Sequence, residues 1–430
     1  MTTPNGAIVF NASTGDDNAA SGLGPAIAQT GAGASTDGTA VVTGITTTGV
    51  SAGDLLWVQT ASGRQFSIIA SVDSGTQVTC DDTFVLGIGQ TWAIGGKRAT
   101  WDDSDSRSIF VDAQPAWDIV TETNQSLTSV LSMTADGSAS GNITLRGSDP
   151  SSLKQVIQTT NAGGLRFDIA SYITLRDLHI VTSTTNTNAA IASRGIYQVF
   201  HNLLVDDSGG SSWYRGFTRN GGNPSGHLSE FRIYNCTDDG FSDSGNGPIV
   251  GTFLNCVSAN NGGDGISTDV ECRFINCLVY GNGIYGIDSS TACFVSGCVI
   301  HGNTSDGVNV TGHSSVITNN IISSNGGYGI NADAEWAFGS IEDRNAFYSN
   351  TSGALNNITS GTYDITLTAD PFTDAASADF TINETSGGGA DLRTTAVTLG
   401  STETRPFRWL DTSTGGGATL ASDARIERLK

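Results

Sequence analysis

The chain has 430 residues, of which 55 are glycine, two are methionine and only three are lysine (Lys97, Lys154 and Lys430). Its formal net charge of −22 at pH 7 excludes a surface built to track nucleic-acid phosphates. No apolar run reaches the roughly 18 residues that a membrane-spanning helix needs, and MTTPNGAIVF carries neither a basic nor an apolar export region, so no signal peptide and no membrane insertion are expected.

Helical periodicity is scarce, and short β-branched runs broken by Gly, Asn and Asp dominate, which makes the chain all-β. Residues 1–103 read as a small β-rich module. Within it, 55–60 and 65–72 alternate as strands around Ser62-Gly63, and 78–80 follows a turn at Ser74-Gly75. Residues 104–360 read as repeating coils, and 361–430 as closing strands and a tail.

The tetrapeptide ITLR occurs at 143–146 and again at 173–176, thirty residues on, and Asn202-Leu203 continues the series. Residues 208–226, SGGSSWYRGFTRNGGNPSG, exceed the repeat and are predicted to protrude as a loop. Trp213, Tyr214, Arg215, Phe217 and Arg219 within it have the composition of a sugar-stacking site or a protein interface. Folding back of the same aromatics into a small satellite core is the alternative.

Beyond residue 230 the repeat is regular. Asn235-Cys236, Asn255-Cys256, Asn276-Cys277, Gly297-Cys298 and Asn319-Asn320 follow one another in steps of 20, 21, 21 and 22. A second landmark, Gly before an apolar residue, recurs at Gly240-Phe241, Gly265-Ile266, Gly286-Ile287, Gly307-Val308 and Gly329-Ile330. A period near 21 holding several short strands points to a right-handed parallel β-helix, whose coils stack about 4.8 Å apart so that equivalent residues form ladders. Gly and Asn at the bends fit the positive φ that corners demand.

Stacking explains the cysteines. Cys236, Cys256, Cys277 and Cys298 are expected in one ladder, and Cys272 and Cys293 in another, as small apolar side chains inside a narrow coil. The five-residue spacing is not that of a zinc site, and Cys256 has Gly251 in place of a partner. Disulfides between neighbouring coils remain an alternative to buried thiols, because a separation of about 4.8 Å is bridgeable.

Residues 118–150, SYITLRDLHIV (171–181) and the Asn…Gly-Ile coils resemble right-handed parallel β-helix proteins related to pectate lyases and phage tailspikes. LTADPFTDAASADFTIN (367–383) resembles the segment that closes such helices. FNASTGDDNAASGLGPA, GDLLWVQTASGRQFSIIASVDSGTQVTCDDTF and TWAIGGKRATWDD are similar to the N-terminal regions of predicted structural proteins of marine phages and planctomycetes. The tailspike resemblance implies three copies, and it specifies fold rather than activity.

A carbohydrate-cleaving site would need paired carboxylates. Asp238 and Asp239 occur together, but Gly263-Asp264 stands where a polygalacturonase pattern would place histidine. Asp238, Asp239, Asp243 and Asp264 form the alternative acidic cluster. Turn formation accounts for Asp239, Asp264 and Asp306 equally well, and with Asp238 and Asp239 read as turn residues, alanine at both is expected to be chemically silent. His179, His201, His227, His301 and His313 do not share a coil spacing, so no metal or other cofactor is expected, and no specific motif calls for calcium.

The sequence therefore leads first to a non-enzymatic virion component, a tail fibre, spike or capsid-surface protein. It would be assembled in the host cytoplasm, act outside the cell, self-associate as a trimer, and contact other virion proteins through residues 1–103 and a host glycan through the loop. The alternative is a polysaccharide lyase or glycoside hydrolase on the same scaffold.

Overall fold

A computed structural model describes residues 8–10, 29–60, 63–94, 101, 118–134, 136–138, 141–167, 171–206, 211–219, 226–243, 251–269, 271–333 and 339–394. The chain forms two compact units, residues 1–204 with 208–211 and residues 205–207 with 212–430. That division lies inside the coils, and the boundaries at 103 and 360 do not coincide with it.

In the first unit, Gln29–Thr36, Val41–Thr43, Leu55–Thr60, Gly63–Ser74, Gln77–Cys80 and Gly87–Ile94 close into an antiparallel barrel. Alternation turns Leu56, Val58, Ile69, Val78 and Trp92 into one core. The strand Ile8–Phe10 does not belong to this barrel. It pairs in parallel with Asp118–Thr121, Ile8 opposite Ile119, so the barrel is inserted between two adjacent strands of the coil region. The two ITLR segments lie in register, Ile143 opposite Ile173 and Leu145 opposite Leu175. Arg146 forks onto Asp118 at 2.8 Å, which fixes the third coil strand against them.

The second unit repeats three strands per coil. The first column contains Gly251–Leu254, Cys272–Ile275, Cys293–Ser296, Val316–Thr318 and Ile341–Asp343. The second contains Arg232–Tyr234, Val257–Ala259, Leu278–Tyr280, Val299–His301, Ile321–Ser323 and Ala346–Tyr348. The third contains Arg215–Arg219, Phe241–Asp243, Ile266–Thr268, Ile287–Ser289, Val308–Val310, Tyr328–Ala332 and Gly353–Asn356. The fold is a parallel β-helix, as the repeat predicts.

Three ladders line the bends. Cys256, Cys277 and Cys298 stack and are continued by Asn320 and Asn345, each taking the backbone N–H of the residue one coil earlier. Cys272 and Cys293 stack beneath Gly251 and give way to Ser315 and Ser340. All seven cysteines are buried free thiols. Burial holds Cys272 and Cys293 at about 11, far from a reactive thiolate.

Cys236 departs from the expected ladder. It stands above Asn261 and heads an asparagine column, buried at Asn261, Asn282, Asn303 and Asn325 and half-buried at Asn350, whose side-chain amides are linked at 2.9 Å. Phe231 occupies the place above Cys256. Pairing places Arg232 opposite Val257, so this coil is 25 residues long and the 20-residue step was out of phase.

The landmark glycines also differ from expectation. Positive φ belongs to Asn255, Asn260, Asn276 and Asn319 and to Gly281, Gly297 and Gly302. Gly265, Gly286, Gly307 and Gly329 are required instead by close approach: a Cβ on Gly286 would meet the Gly307 carbonyl at 2.5 Å and Ile300 at 2.6 Å.

The segment at Asp370-Pro371-Phe372 was expected to cover an end of the helix. Its hairpin, Phe372–Asp374 with Asp379–Ile382, lies along the side instead. Phe372, Phe380, Ile382 and Leu392 pack on Val257, Leu278, Val299, Ile321 and Ala346, one residue from each of five successive coils. Tyr280 meets Phe380 at 4.9 Å, and His301 lies between Phe372 and Phe380. Burial lowers the His301 pKa, consistent with a neutral ring among aromatics.

Candidate functional site

The third strand column carries the site. The residue before each landmark glycine forms a file of Arg215, Asp239, Asp264, Tyr285, Asp306 and Tyr328 along one bend. Asp239 accepts the Asp264 amide at 3.0 Å, Asp264 accepts the Tyr285 amide at 3.0 Å, and Asp306 accepts the Tyr328 amide at 2.6 Å. Asp239, Asp264 and Asp306 are thus turn residues, as one reading of the sequence has it. Their second carboxylate oxygens leave room for other work.

Residues 211–219 correct the expectation of a protruding loop; 208–210 and 220–225 lie outside the described residues. Gly216-Phe217 is an earlier copy of the Gly-apolar landmark, with no space for a Cβ beside Ile233. Phe217 pairs opposite Phe241 and packs on Phe231 and Phe241 inside the coil. Trp213 is 1% exposed, so neither it nor Phe217 offers a ring to a sugar. Arg219 is buried in an ion pair with Asp243, its opposite number in the next coil. Asp243 therefore leaves the acidic cluster for the interior.

Tyr214 and Arg215 remain at the surface. The Arg215 guanidinium holds Asp238 at 2.7 Å and reaches Asp239 at 3.4 Å, while also lying over the Tyr214 ring at 5.2 Å. Asp238, Asp239 and Asp264 come together as the cluster predicts, and Asp288 in the next strand joins them.

These carboxyl groups are not equivalent. Burial, then the charges of Asp239, Asp288 and Asp238, push Asp264 up to about 7 against the hydrogen bond from Tyr285. Burial raises Asp239 and Asp288 as well, although the Asp264 amide and the Asn309 side chain, 2.7 Å from Asp288, oppose it. Asp238, a quarter exposed, has its charge matched by Arg215. A carboxyl group raised to about 7 thus shares the cluster with one that a guanidinium holds. Beyond them runs a polar strip of Asn309, Asn331 and Asn356, joined to one another and to Asp288 and Asp306. Among the described residues, no three His, Cys, Asp or Glu side chains are arranged to hold a metal ion.

Sequence reasoning found the three clustered aspartates and missed Arg215 as their partner and Asp288 as their neighbour. The signal for both was the phase relative to the glycine: Arg215 directly precedes Gly216, and Asp288 follows Gly286 by two.

No protein-family model and no curated protein matches the chain. Among solved structures, pectate lyase Pel9A is similar over 66% of this chain and 79% of its own, with 13% identity and a TM-score of 0.43. The A-module of Azotobacter vinelandii mannuronan C-5 epimerase AlgE4 is similar over 62% and 93%, with 15% identity and a TM-score of 0.37. The catalytic domain of a GH87 α-1,3-glucanase in complex with nigerose is similar over 76% and 91%, with 10% identity and a TM-score of 0.30. At these identities the likeness concerns the path of the backbone and assigns no chemistry to this chain.

Proposed function

We propose that this chain hydrolyses a neutral polysaccharide along the outer face of the third strand column. The carrying observation is the division of labour between two carboxyl groups: Asp264, pushed up to about 7, is partly protonated at neutral pH, while Asp238 is bound by Arg215. Neighbouring acids driven apart in this way are what acid–base cleavage of a glycosidic bond requires.

Asp238 accepts a proton from water as its oxygen attacks the anomeric carbon. The carbon–oxygen bond to the leaving sugar breaks, and that oxygen takes the Asp264 proton. Solvent then restores both groups. Tyr214 and the Asn309–Asn331–Asn356 strip supply a ring edge and amides for sugar hydroxyls. One guanidinium among four carboxyl groups disfavours uronate polymers, so the preferred chain is uncharged.

The test is release of reducing ends from a panel of neutral and uronic polysaccharides by the wild type, Asp264→Asn and Asp238→Asn. Cleavage of a neutral polymer that both substitutions abolish supports the reading. An inactive wild type, or full activity in Asp264→Asn, overturns it. The virion-attachment reading rests on the resemblance of residues 1–103, and no described residue of the site depends on it.

A further inference from the structure

Gly251 interrupts a ladder of small side chains. Later coils hold Cys272, Cys293, Ser315 and Ser340 at its rung. A Cβ on Gly251 would meet the two terminal nitrogens of Arg219 at 3.1 and 3.4 Å, so the guanidinium fills the place of the missing side chain. Arg219 is 3% exposed, and its ion-pair partner Asp243 is 6% exposed.

The coil itself does not ask for this pair. Thr268, Ser289, Val310 and Ala332 follow Asp243 in the same inward file, and none of them carries a charge. A buried ion pair gives little net stability over apolar residues of similar volume, because desolvation offsets the attraction. Fixing one alignment among several is its best-attested use.

The alignment at stake is that of two strands. Arg215–Arg219 and Phe241–Asp243 run side by side, with Phe217 opposite Phe241 and Arg219 opposite Asp243. Arg215 begins the first strand, and its Nε–H donates at 2.7 Å to Asp238, just ahead of the second. The same two segments thus carry an ion pair at each end, one in the acidic site and one sealed from water. A slip by one residue would turn Arg219 outward and take Arg215 off Asp238.

We propose that Arg219 and Asp243 are positioning residues of the acidic site, a buried ion pair that keeps Arg215 seated on Asp238, a role that rests on the hydrolytic reading of that site.

Arg219→Met/Asp243→Val tests this, valine being the residue that a later coil places in the same file. Its melting temperature should stay level or rise. On the cleaved polymer, kcat should fall by about 10- to 100-fold with KM little changed, the usual effect of a displaced catalytic group. In 15N spectra of the arginine side chains, the Arg215 Nε–H is identified as the signal lost in Arg215→Lys. It should exchange with water several-fold faster in the double variant than in the wild type. Gly251→Ala keeps both charges and only crowds the guanidinium, so it should shift the exchange less, in the same direction. Unchanged Arg215 exchange in the double variant overturns the proposal. So does a melting temperature well below that of the wild type, since the pair would then hold up the fold rather than align the site. A wild type that cleaves nothing, together with faster Arg215 exchange in the double variant, overturns hydrolysis and leaves the alignment supported.

Discussion

Asp264 accepts the Tyr285 amide at 3.0 Å, so the carboxyl group that burial pushes up to about 7 also ties two coils together. Asparagine retains the accepting oxygen and discards the titration. Asp264→Asn should therefore fold as well as the wild type and lose activity by about 10²–10⁴-fold, the usual worth of a general acid. Circular dichroism and a reducing-end assay on one preparation separate the two effects.

The same group sets a pH dependence of stability. Asp264 rises from 3.8 to about 7, and Glu342, mainly through burial and then Asp364, from 4.5 to about 8. Each binds its proton more tightly folded than unfolded. Their contribution is full at acid pH and is lost as pH rises through those raised values. His301 has the opposite slope, since its lowered value makes stability fall as pH drops below 6.5. Melting temperature should thus decline from pH 6.5 to 8.5, and Asp264→Asn should flatten the part near 7. Thermal melts at constant ionic strength measure this.

The asparagine column makes a further prediction. Asn282 takes both the backbone and side-chain N–H groups of Asn261, at 3.1 and 2.9 Å, and gives its own amide to Asn303. Asn282→Ala leaves buried groups unpaired at about 1–3 kcal/mol each. Cys277→Ala, in the neighbouring ladder, removes one sulfur and its weak hydrogen bonds to the Phe253 and Ile275 carbonyls and should be the milder change. Urea titrations of both variants rank them.

Gly286→Ala probes close approach. The added methyl would press on the Gly307 carbonyl and Ile300, so a loss of about 1–3 kcal/mol is expected, as for other overpacked interiors. Gly302→Asn, at φ 62° with open space around it, should be nearly neutral. If the glycines served the backbone rather than the packing, the order would reverse.

How far the sequence could be read follows from which contacts are periodic. Gly265, Gly286 and Gly307 were legible because each coil needs the same bare backbone opposite the same inward side chain. Cys277 and Cys298 were legible because ladders repeat their size. Cys236 was misplaced because its Asn-Cys dipeptide copies one bend while its pairing belongs to the next. The sign of trouble was present: the asparagine marker stepped by 20 there, whereas Gly240 to Gly265 steps by 25. Trp213 and Phe217 were read as loop residues for the same reason, since long insertions flank a coil that is itself regular. Arg215 beside Asp238 was legible only through the phase of Gly216, because a pair 23 residues apart gains meaning only once both phases are known.

The lateral hairpin should carry a large share of the second unit's stability. Phe380→Ala removes a ring that touches Phe372, Tyr280 and His301, and about 3–5 kcal/mol is expected to go with it. Differential scanning calorimetry reads the loss.

A stack of like coils can ordinarily gain or shed a repeat, since each touches only its neighbours. Here one strip of chain must find Val257, Leu278, Val299, Ile321 and Ala346 in a fixed order, with Tyr280 and His301 at set heights. Duplication or deletion of a single coil between 257 and 346 would move those footholds by about 4.8 Å relative to the hairpin. The strip therefore works as a ruler: it makes the number of coils in this stretch an inherited constant, in a fold whose sequence repeats would otherwise invite slippage in length.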